Sequence, residues 1–330
     1  STNKIILTAD NITLDGKFVI EKEVYLKSSF EINEEKRLKK DDIFICLSSG
    51  SLKHLGKIAF IEKNENYYAG GFMGILRVNK NIKPKYAFNI LNTETYKNIF
   101  EQYGKGSNIN NLSATLNNIK IPLPPLDIQE QIVNECQKVD DEVSKANEII
   151  EKTKKEIENE INSVDGETTK LGEIFILQNG KAMPKNKMIN GNIPVYGGNG
   201  IMGYHNESLI DYSTISIGRV GEYCGAVHIT ESKSWISDNS MYVTKFIKDI
   251  DIKFIYISLV KLNLNQFANK TSQPNISQPI ILSKSIPIPS LETQKEIVSR
   301  IEKLEKNISD AKKIIDTAKD KKEEILKKYL

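Results

Sequence analysis

Two loops in the first half of the sequence concentrate side chains that donate and accept hydrogen bonds. Ser48-Ser49-Gly50-Ser51 leads to Lys53 and His54, and Gly104-Lys105-Gly106-Ser107-Asn108 lies farther along the chain. Hydroxyl, amide and ammonium groups on exposed loops are suited to phosphate oxygens and to the polar edges of bases. The candidate binding residues of this half are Ser48, Ser49, Ser51, Lys53, His54, Lys105, Ser107 and Asn108.

The second half contains side chains of the same kind, and Arg219 is the strongest candidate among them. It follows Gly218 and precedes Val220-Gly221, and a guanidinium group pairs with guanine through two hydrogen bonds. The loop 270–275 corresponds to the loop at Lys105. Glycine, serine, asparagine and lysine are also expected in ordinary solvated turns, so both interpretations stay open. The candidates here are Asn199, Tyr204, His205, Arg219, Tyr223, Lys270, Ser272, Gln273 and Asn275.

Motifs for catalysis are missing from the sequence. Pro124-Pro125 follows Leu123 rather than an acid or an amide, so no Asn-Pro-Pro-Tyr or Asp-Pro-Pro-Tyr methyltransferase motif occurs. A glycine-rich loop followed by an acid about 20 residues later, as in a dinucleotide-like cofactor site, is also missing. The three cysteines form no CxxC pair, which argues against a zinc site or a disulfide framework. The sequence predicts no catalytic residue, no cofactor and no metal.

Composition predicts a soluble globular protein with about two domains. The 330 residues are 39% hydrophobic and 27% charged. No apolar run approaches the ~20 residues that a membrane helix needs, so no membrane partner is expected. The start, Ser1-Thr2-Asn3-Lys4, has no apolar signal segment. The odd number of cysteines fits a reducing cytoplasm, which is the predicted location.

An internal repeat organises the chain. Ile121-Pro122-Leu123-Pro124-Pro125-Leu126 recurs 165 residues later as Ile286-Pro287-Ile288-Pro289-Ser290-Leu291. The same offset pairs Gln129 with Gln294. Alternate prolines favour an extended segment that lacks ladder donors. Each proline segment is therefore predicted to end a globular domain and to lead into a helix.

Each proline segment is followed by a long polar stretch without Gly or Pro, which predicts a long helix. Apolar or small residues alternate in steps of four and three, and this spacing is a heptad seam. The first seam contains Ile132, Cys136, Val139, Val143, Ala146, Ile150, Thr153 and Ile157. The second contains Ile297, Ile301, Leu304, Ile308, Ala311, Ile315, Ala318 and, past Lys322, Ile325. At ~1.5 Å per residue each helix reaches roughly 50 Å.

The charges of the two long stretches are complementary. Residues 127–162 carry 5 basic and 11 acidic side chains, and residues 292–330 carry 11 and 9. A single amphipathic helix of this length would leave its seam in water, so the two helices are predicted to pack on each other. A purely structural coiled-coil scaffold remains an alternative, although it does not explain why the helices alternate with globular domains.

The globular segments are predicted to combine strands, turns and some helix. Residues 41–47 and 56–61 form one strand pair around the Ser48 loop, and residues 214–217 and 225–229 form another around Arg219. The fold class is therefore α+β, with two long helices packed as an antiparallel coiled coil. The predicted domains are residues 1–126 and 165–291, and the predicted long helices are residues 127–164 and 292–330.

This arrangement resembles the specificity subunit of type I restriction-modification systems over nearly the whole chain. The resemblance rests on Ile-Pro-x-Pro-x-Leu-x-x-Gln-x-x-Ile at 121–132 and 286–297. Leu171-Gly172-Glu173-Ile174-Phe175 and Ile193-Pro194-Val195-Tyr196-Gly197 also resemble segments that open such domains.

The resemblance implies a non-catalytic protein that recognises double-stranded DNA. Each globular domain would be a target-recognition domain for one half of a split sequence. The paired helices would set the gap between the halves and dock methyltransferase subunits, with restriction nuclease subunits as further partners. Two dissimilar domains imply an asymmetric target.

One departure from the family pattern concerns the first domain. Asn192-Ile193-Pro194-Val195 matches Lys4-Ile5-Ile6-Leu7, so the part of the second domain that starts near Lys170 has no counterpart before Lys4. The N-terminal part of the first domain is therefore expected to be missing. The chain could be a fragment or the specificity region of a single-chain restriction enzyme and methyltransferase.

Overall fold

The computed structural model describes residues 3–21, 23–105, 110–183, 188, 191–269 and 272–330. The chain divides into two compact units. Unit 1 contains Ser1–Glu148 and Ala311–Leu330, and unit 2 contains Ile149–Asp310.

Unit 1 is built from short strands and two helices of ordinary length. Its central sheet has the order β4-β2-β6, and two-stranded pairs β1-β5 and β3-β7 accompany it. β1 and β5 are parallel, and the other pairs are antiparallel. The elements are β1 (Ile5–Leu7), β2 (Ile43–Cys46), β3 (Ser48–Ser49), β4 (Ile58–Phe60), β5 (Tyr67–Ala69), β6 (Met73–Leu76), α1 (Pro84–Leu91), α2 (Glu94–Gly104) and β7 (Asn110–Asn111).

The β2 strand separates two apolar clusters of unit 1. Its side chains alternate between the faces of the sheet. Phe44 and Cys46 pack in a cluster with Leu7 and Ala69, whereas Ile43 and Ile45 pack in a cluster against α1 and α2. All four residues of β2 are fully buried, so this strand is central to the unit.

Unit 2 contains a four-stranded sheet of order β13-β12-β15-β9 and a three-stranded sheet of order β11-β10-β14. A two-stranded pair, β16-β8, contains the second proline segment. The elements are β8 (Glu167–Lys170), α4 (Leu171–Ile174), β9 (Phe175–Asn179), β10 (Ile193–Gly197), β11 (Gly200–His205), β12 (Ile215–Gly218), β13 (Val227–Ile229), β14 (Trp235–Ile236), β15 (Ser240–Phe246), α5 (Ile252–Leu262), α6 (Gln278–Leu282) and β16 (Ser285–Ile288).

One large apolar cluster forms the main core of unit 2. It joins the four-stranded sheet to α5 and to the long helices, with Ile217, Phe254 and Ile297 among its buried members. The predicted strand pairs of both units are confirmed, since β2 pairs with β4 and β12 pairs with β13 around the two candidate loops.

The two long helices are α3 (Leu126–Asn162) and α7 (Leu291–Tyr329), and each contributes one part to each unit. In unit 1, Lys321 Nζ lies 3.0 Å from Glu142 Oε2 and Lys328 Nζ lies 3.0 Å from Glu135 Oε1. Residue numbers rise along α7 as they fall along α3, so the two helices are antiparallel. This confirms the predicted antiparallel coiled coil. Every residue of the two predicted seams is buried or half-buried.

The glutamine of the repeated motif explains why the motif has its spacing. In unit 1, Gln129 is fully buried and its Nε2 donates to Pro124 O at 2.9 Å. Its Oε1 accepts from the backbone N–H of Lys83, the residue before α1 begins, at 2.8 Å. An unpaired amide group in this position would carry a large desolvation penalty. Gln129 thus ties the proline segment and α3 to the start of α1.

Gln294 makes the same connection in unit 2. Its Nε2 donates to Pro289 O at 2.9 Å, and its Oε1 accepts from the backbone N–H of Asp251 at 3.0 Å. Asp251 caps the N-terminus of α5. The repeat in sequence is therefore a repeat of one hydrogen-bonded connection, which we call the glutamine clamp.

The parallel pair β1-β5 of unit 1 corresponds to the parallel pair β10-β14 of unit 2. The correspondence is shifted by one residue from the one expected from sequence. In unit 1, Gly70 N donates to Leu7 O, and in unit 2 Ser237 N donates to Tyr196 O, both at 2.9 Å. Leu7 therefore corresponds to Tyr196 rather than to Val195. The expected match of Val195 with Leu7 was wrong by one residue because short apolar strands contain little information about register.

The free edge of β6 marks the clearest difference between the units. In unit 2, β9 lies against β15 on one side. Among the described residues of unit 1, no strand pairs with the corresponding edge of β6. The described part of unit 1 also contains no counterpart of β8 beside its proline segment.

Candidate nucleic-acid interface

The loop of residues 47–55 in unit 1 connects β2 to β4 and has fixed ends. Cys46 N donates to Lys57 O, and Gly56 N donates to Cys46 O, both at 2.9 Å. Gly56 has a φ of +72°, a conformation that favours glycine, and a Cβ there would lie 2.6 Å from the ring of Phe100. A residue with a side chain at position 56 would therefore be strained and would clash, so the last anchor of the loop requires glycine.

A second segment lies beside this loop. Leu112 N donates to Leu47 O at 2.8 Å, and β3 pairs with β7. Ser48 Oγ donates to Asn110 O and Asn110 Nδ2 donates to Ser49 O, each at 3.2 Å. The structure thus brings the Ser48 loop next to residues 110–112.

The candidate side chains of unit 1 differ in exposure. Ser51, Lys53 and Lys105 are exposed, and Ser48, Ser49 and His54 are half-buried. Ser107 and Asn108 lie outside the described residues. Ser48 already uses its hydroxyl proton within the unit, so its oxygen is the group that remains for an incoming donor.

The loop of residues 219–224 occupies the same place in unit 2. Gly218 N donates to Ala226 O at 2.8 Å, and Gly225 N donates to Gly218 O at 2.7 Å. Gly225 has a φ of +87°. These contacts reproduce the anchors of the first loop, with Gly225 in the position of Gly56.

The adjacent segment of unit 2 also corresponds. Ile276 N donates to Arg219 O at 3.0 Å, and Gly221 N donates to Pro274 O at 2.8 Å. Arg219 and Ile276 therefore stand where Leu47 and Leu112 stand in unit 1. Ser272, Gln273 and Asn275 are exposed on this segment, and Lys270 lies outside the described residues.

Arg219 is half-buried and directed toward a neighbouring turn. Its Nη1 donates to Asp238 O at 3.1 Å, and its backbone N–H donates to Asn239 O at 2.8 Å. A guanidinium group has five N–H donors in a planar fork. One contact holds the group in place while other donors stay available for an acceptor in a bound molecule.

A hairpin tip adds Asn199 to this group. Gly198 and Asn199 connect β10 to β11, and Asn199 is exposed. A Cβ built on Gly198 would lie 3.4 Å from Val220 O and 3.8 Å from Asn239 O. The hairpin tip therefore lies beside the Arg219 loop, and exposed Tyr223 lies within that loop.

Tyr204 and His205 lie at the opposite end of β11 from Asn199. At ~3.3 Å per residue, Tyr204 is about 17 Å and His205 about 20 Å from Asn199 along the strand. His205 packs edge-to-face on Trp235, with ring centroids 5.9 Å apart. The structure does not bring these two candidates together with Arg219.

Two turns that contact the candidate loops were not predicted from the sequence. Residues 70–72 connect β5 to β6, and Phe72 O accepts from Leu47 N at 3.0 Å. Residues 237–239 connect β14 to β15, and Asn239 O accepts from Arg219 N. Gly70-Gly71 and Ser237-Asp238-Asn239 are typical turn sequences, and this signal would have located them.

Burial determines the protonation state of His228. Desolvation lowers the pKa of His228, a residue of β13 whose Nε2 is buried without a hydrogen-bond partner. A neutral imidazole is therefore expected at neutral pH.

Among the described residues no cluster of three or more His, Cys, Asp or Glu side chains could hold a metal ion. None of the described helices is both long enough and apolar enough to cross a membrane.

Comparison with protein families assigns the chain. The family described as "Type I restriction modification DNA specificity domain" matches residues 2–159 and again residues 163–319. The chain belongs to this family and contains two copies of its domain.

Curated relatives agree with this assignment. The chain is 29% identical over 145 residues to the type I restriction enzyme EcoprrI specificity subunit of Escherichia coli, covering 42% of this chain and 36% of the relative. It is 34% identical over 128 residues to the StySPI specificity subunit of Salmonella potsdam, covering 38% and 27%. These alignments span about a third of the relatives' length. A putative type I restriction enzyme specificity subunit, MjaX, of Methanocaldococcus jannaschii is 28% identical over 319 residues, covering 84% and 73%.

Solved structures share the fold. The S subunit of a type I restriction-modification system from M. genitalium gives a TM-score of 0.57 at 18% identity, covering 100% of this chain and 92% of that chain. The HsdS subunit from Thermoanaerobacter tengcongensis gives a TM-score of 0.52 at 16% identity, covering 100% of this chain and 90% of that chain.

Proposed function

We propose that this chain is the sequence-specific DNA-binding subunit of a restriction-modification system and has no catalytic activity of its own. Each unit would recognise one half of a bipartite, asymmetric site. The relatives named as specificity subunits of type I restriction enzymes support this role. The long helices α3 and α7 would set the gap between the two half-sites.

The repeated pair of loops is the observation that carries the proposal. In both units the same backbone hydrogen bonds join a loop between two strands to the segment before a proline motif. The side chains that the two loops carry differ, since the loop of unit 1 contains Ser51 and Lys53 and the loop of unit 2 contains Arg219 and Tyr223. Hydroxyl, ammonium and guanidinium groups are suited to phosphates and base edges. Two different sets imply two different half-sites.

The proposed partners are double-stranded DNA and adenine methyltransferase subunits, which would dock on the exposed faces of α3 and α7. Restriction nuclease subunits are proposed as further partners. The three cysteines are free and buried, and we place the assembly in the reducing cytoplasm.

The test is DNA binding by the full chain in complex with its modification subunits. Methylome sequencing of cells that carry the system identifies the target, and fluorescence anisotropy then compares a target duplex with a scrambled duplex of equal composition. We expect the target to bind at least about 1,000-fold more tightly, with affinity that falls as salt concentration rises. Equal affinity for both duplexes would contradict the proposal.

A further inference from the structure

Phe72 and Asn239 occupy the same position in two β-turns. In unit 1, Met73 N donates to Gly70 O at 3.1 Å, and in unit 2 Ser240 N donates to Ser237 O at 3.0 Å. Each pair of residues closes a four-residue turn, in which the third residue is at the tip. Phe72 and Asn239 are these third residues.

Both turns are fastened to the candidate loops by their third residue. The carbonyl of Phe72 accepts from Leu47 N at 3.0 Å and from Ser48 N at 3.2 Å. The carbonyl of Asn239 accepts from Arg219 N at 2.8 Å. Each side chain is therefore presented at the base of the loop that carries the candidate binding residues.

The exposure of this position is a property of the turn itself. Phe72 is 68% exposed, more than any other large hydrophobic side chain in the described part of the protein. In unit 2, β9 runs past the turn, because Gly180 N donates to Ser240 O at 2.9 Å. Asn239 is nevertheless exposed. A neighbouring strand therefore does not cover the position.

The two side chains differ in the chemistry that they offer a base pair. In the major groove the only apolar group is the C5 methyl of thymine, which aromatic and aliphatic side chains contact. An asparagine amide pairs with N6 and N7 of adenine through two hydrogen bonds. The same position would thus select thymine in one unit and adenine in the other.

We propose that this turn position determines specificity in each unit. Phe72 contacts a thymine methyl in the half-site of unit 1, and Asn239 pairs with an adenine in the half-site of unit 2. This inference rests on the proposed DNA-binding function and adds to it the residues and bases involved.

The experiment selects duplexes from a randomised pool with the full chain bound to its modification subunits. For Phe72→Ala we expect the thymine preference to disappear at one position, with about fourfold weaker binding of the preferred duplex. For Phe72→Asn we expect that position to change from thymine to adenine. Asn239→Ala removes one adenine preference in the other half, with about tenfold weaker binding.

A second arm replaces the selected thymine by uracil, which removes only the methyl group. The wild-type complex should bind this duplex about fourfold more weakly, whereas the Phe72→Ala complex should bind both duplexes equally. The matched control is Phe30→Ala, since Phe30 is 62% exposed in unit 1, and we expect its selected sequence to equal that of the wild type.

An unchanged selected sequence for Phe72→Ala, or equal binding of the thymine and uracil duplexes by the wild type, would overturn this inference while leaving the proposed function intact. A wild-type complex that selects no sequence at all would overturn both.

Discussion

The loops at residues 47–55 and 219–224 occupy the same place in the two units and offer different chemistry. Their ends are anchored by the same backbone hydrogen bonds, and each has a glycine of positive φ at its last anchor. Leu47 in unit 1 stands where Arg219 stands in unit 2. The chain therefore repeats one backbone framework, and the side chains on that framework differ between the two units.

Substitutions in the glutamine clamp are expected to lower the stability of the chain the most. Replacing buried Gln129 or Gln294 by leucine leaves a partly buried backbone N–H and a proline carbonyl without these partners. We expect each substitution to lower the free energy of unfolding by about 3 kcal/mol. Urea unfolding of the full chain measures this.

Gln137→Leu is the matched control on α3, because Gln137 is half-buried and its side-chain hydrogen bonds are made with the side chains of Lys85 and Asp141. We expect it to change stability by less than about 0.5 kcal/mol. A large effect at one clamp and none at the other would show that the two connections are not equivalent in energy.

Arg219 and Leu47 occupy equivalent positions, but we expect their substitution to have different effects. Arg219→Ala should reduce discrimination at one base pair by about 1–3 kcal/mol and leave the other half-site unchanged. Leu47 packs against an apolar cluster of unit 1, so Leu47→Ala should instead lower stability by about 2 kcal/mol without relaxing a base. Methylome sequencing of cells with each variant measures both half-sites. An unaltered motif for Arg219→Ala counts against a base-contacting role.

The smallest expected effect concerns acid sensitivity of the helix pair in unit 1. Hydrogen bonds from Tyr329 and Lys328 lower the pKa of Glu135 below its ordinary value of 4.5. A carboxylate with a lowered pKa contributes stability above pH 4.5, and this contribution is lost as the pH falls through the lowered value. Glu135→Gln should therefore reduce the difference in urea midpoint between pH 6 and pH 3.5. The effect is small because the pair is exposed and screened.

Glu160→Gln is the comparison in unit 2, where Arg300 Nε lies 2.7 Å from Glu160 Oε1. The urea midpoint of the Glu160→Gln variant is measured at the same two pH values. If Glu135→Gln leaves the acid sensitivity of the chain unaltered, the Tyr329 contact does not stabilise the helix pair.

Much of the framework could be predicted from sequence because its signals are local or repeated. The heptad steps of Ile132, Cys136 and Val139 predicted both the helix and its buried face. The repeated proline motif predicted where each long helix begins. The strands around Ser48 and Arg219 were found from β-branched residues and glycines.

The missed features depend on contacts between residues far apart in the chain. Nothing near Gln129 in sequence indicates that its side chain bonds to Lys83. The pairing of β3 with β7 brings together residues about 60 positions apart, so the sequence could not place those loops side by side. Tyr204 was grouped with Arg219 because both are polar, whereas the length of β11 separates them.

The anchored ends of the two loops have a consequence for how the interface can change. Nine residues (47–55) span the anchors in unit 1 and six (219–224) span them in unit 2. Closure entropy grows only with the logarithm of loop length, so this difference corresponds to about 0.4 kcal/mol. Insertions and deletions between the anchors are therefore thermodynamically mild, and the surface at this point can be remodelled in size as well as in side-chain identity while the sheet beneath it keeps its hydrogen bonds.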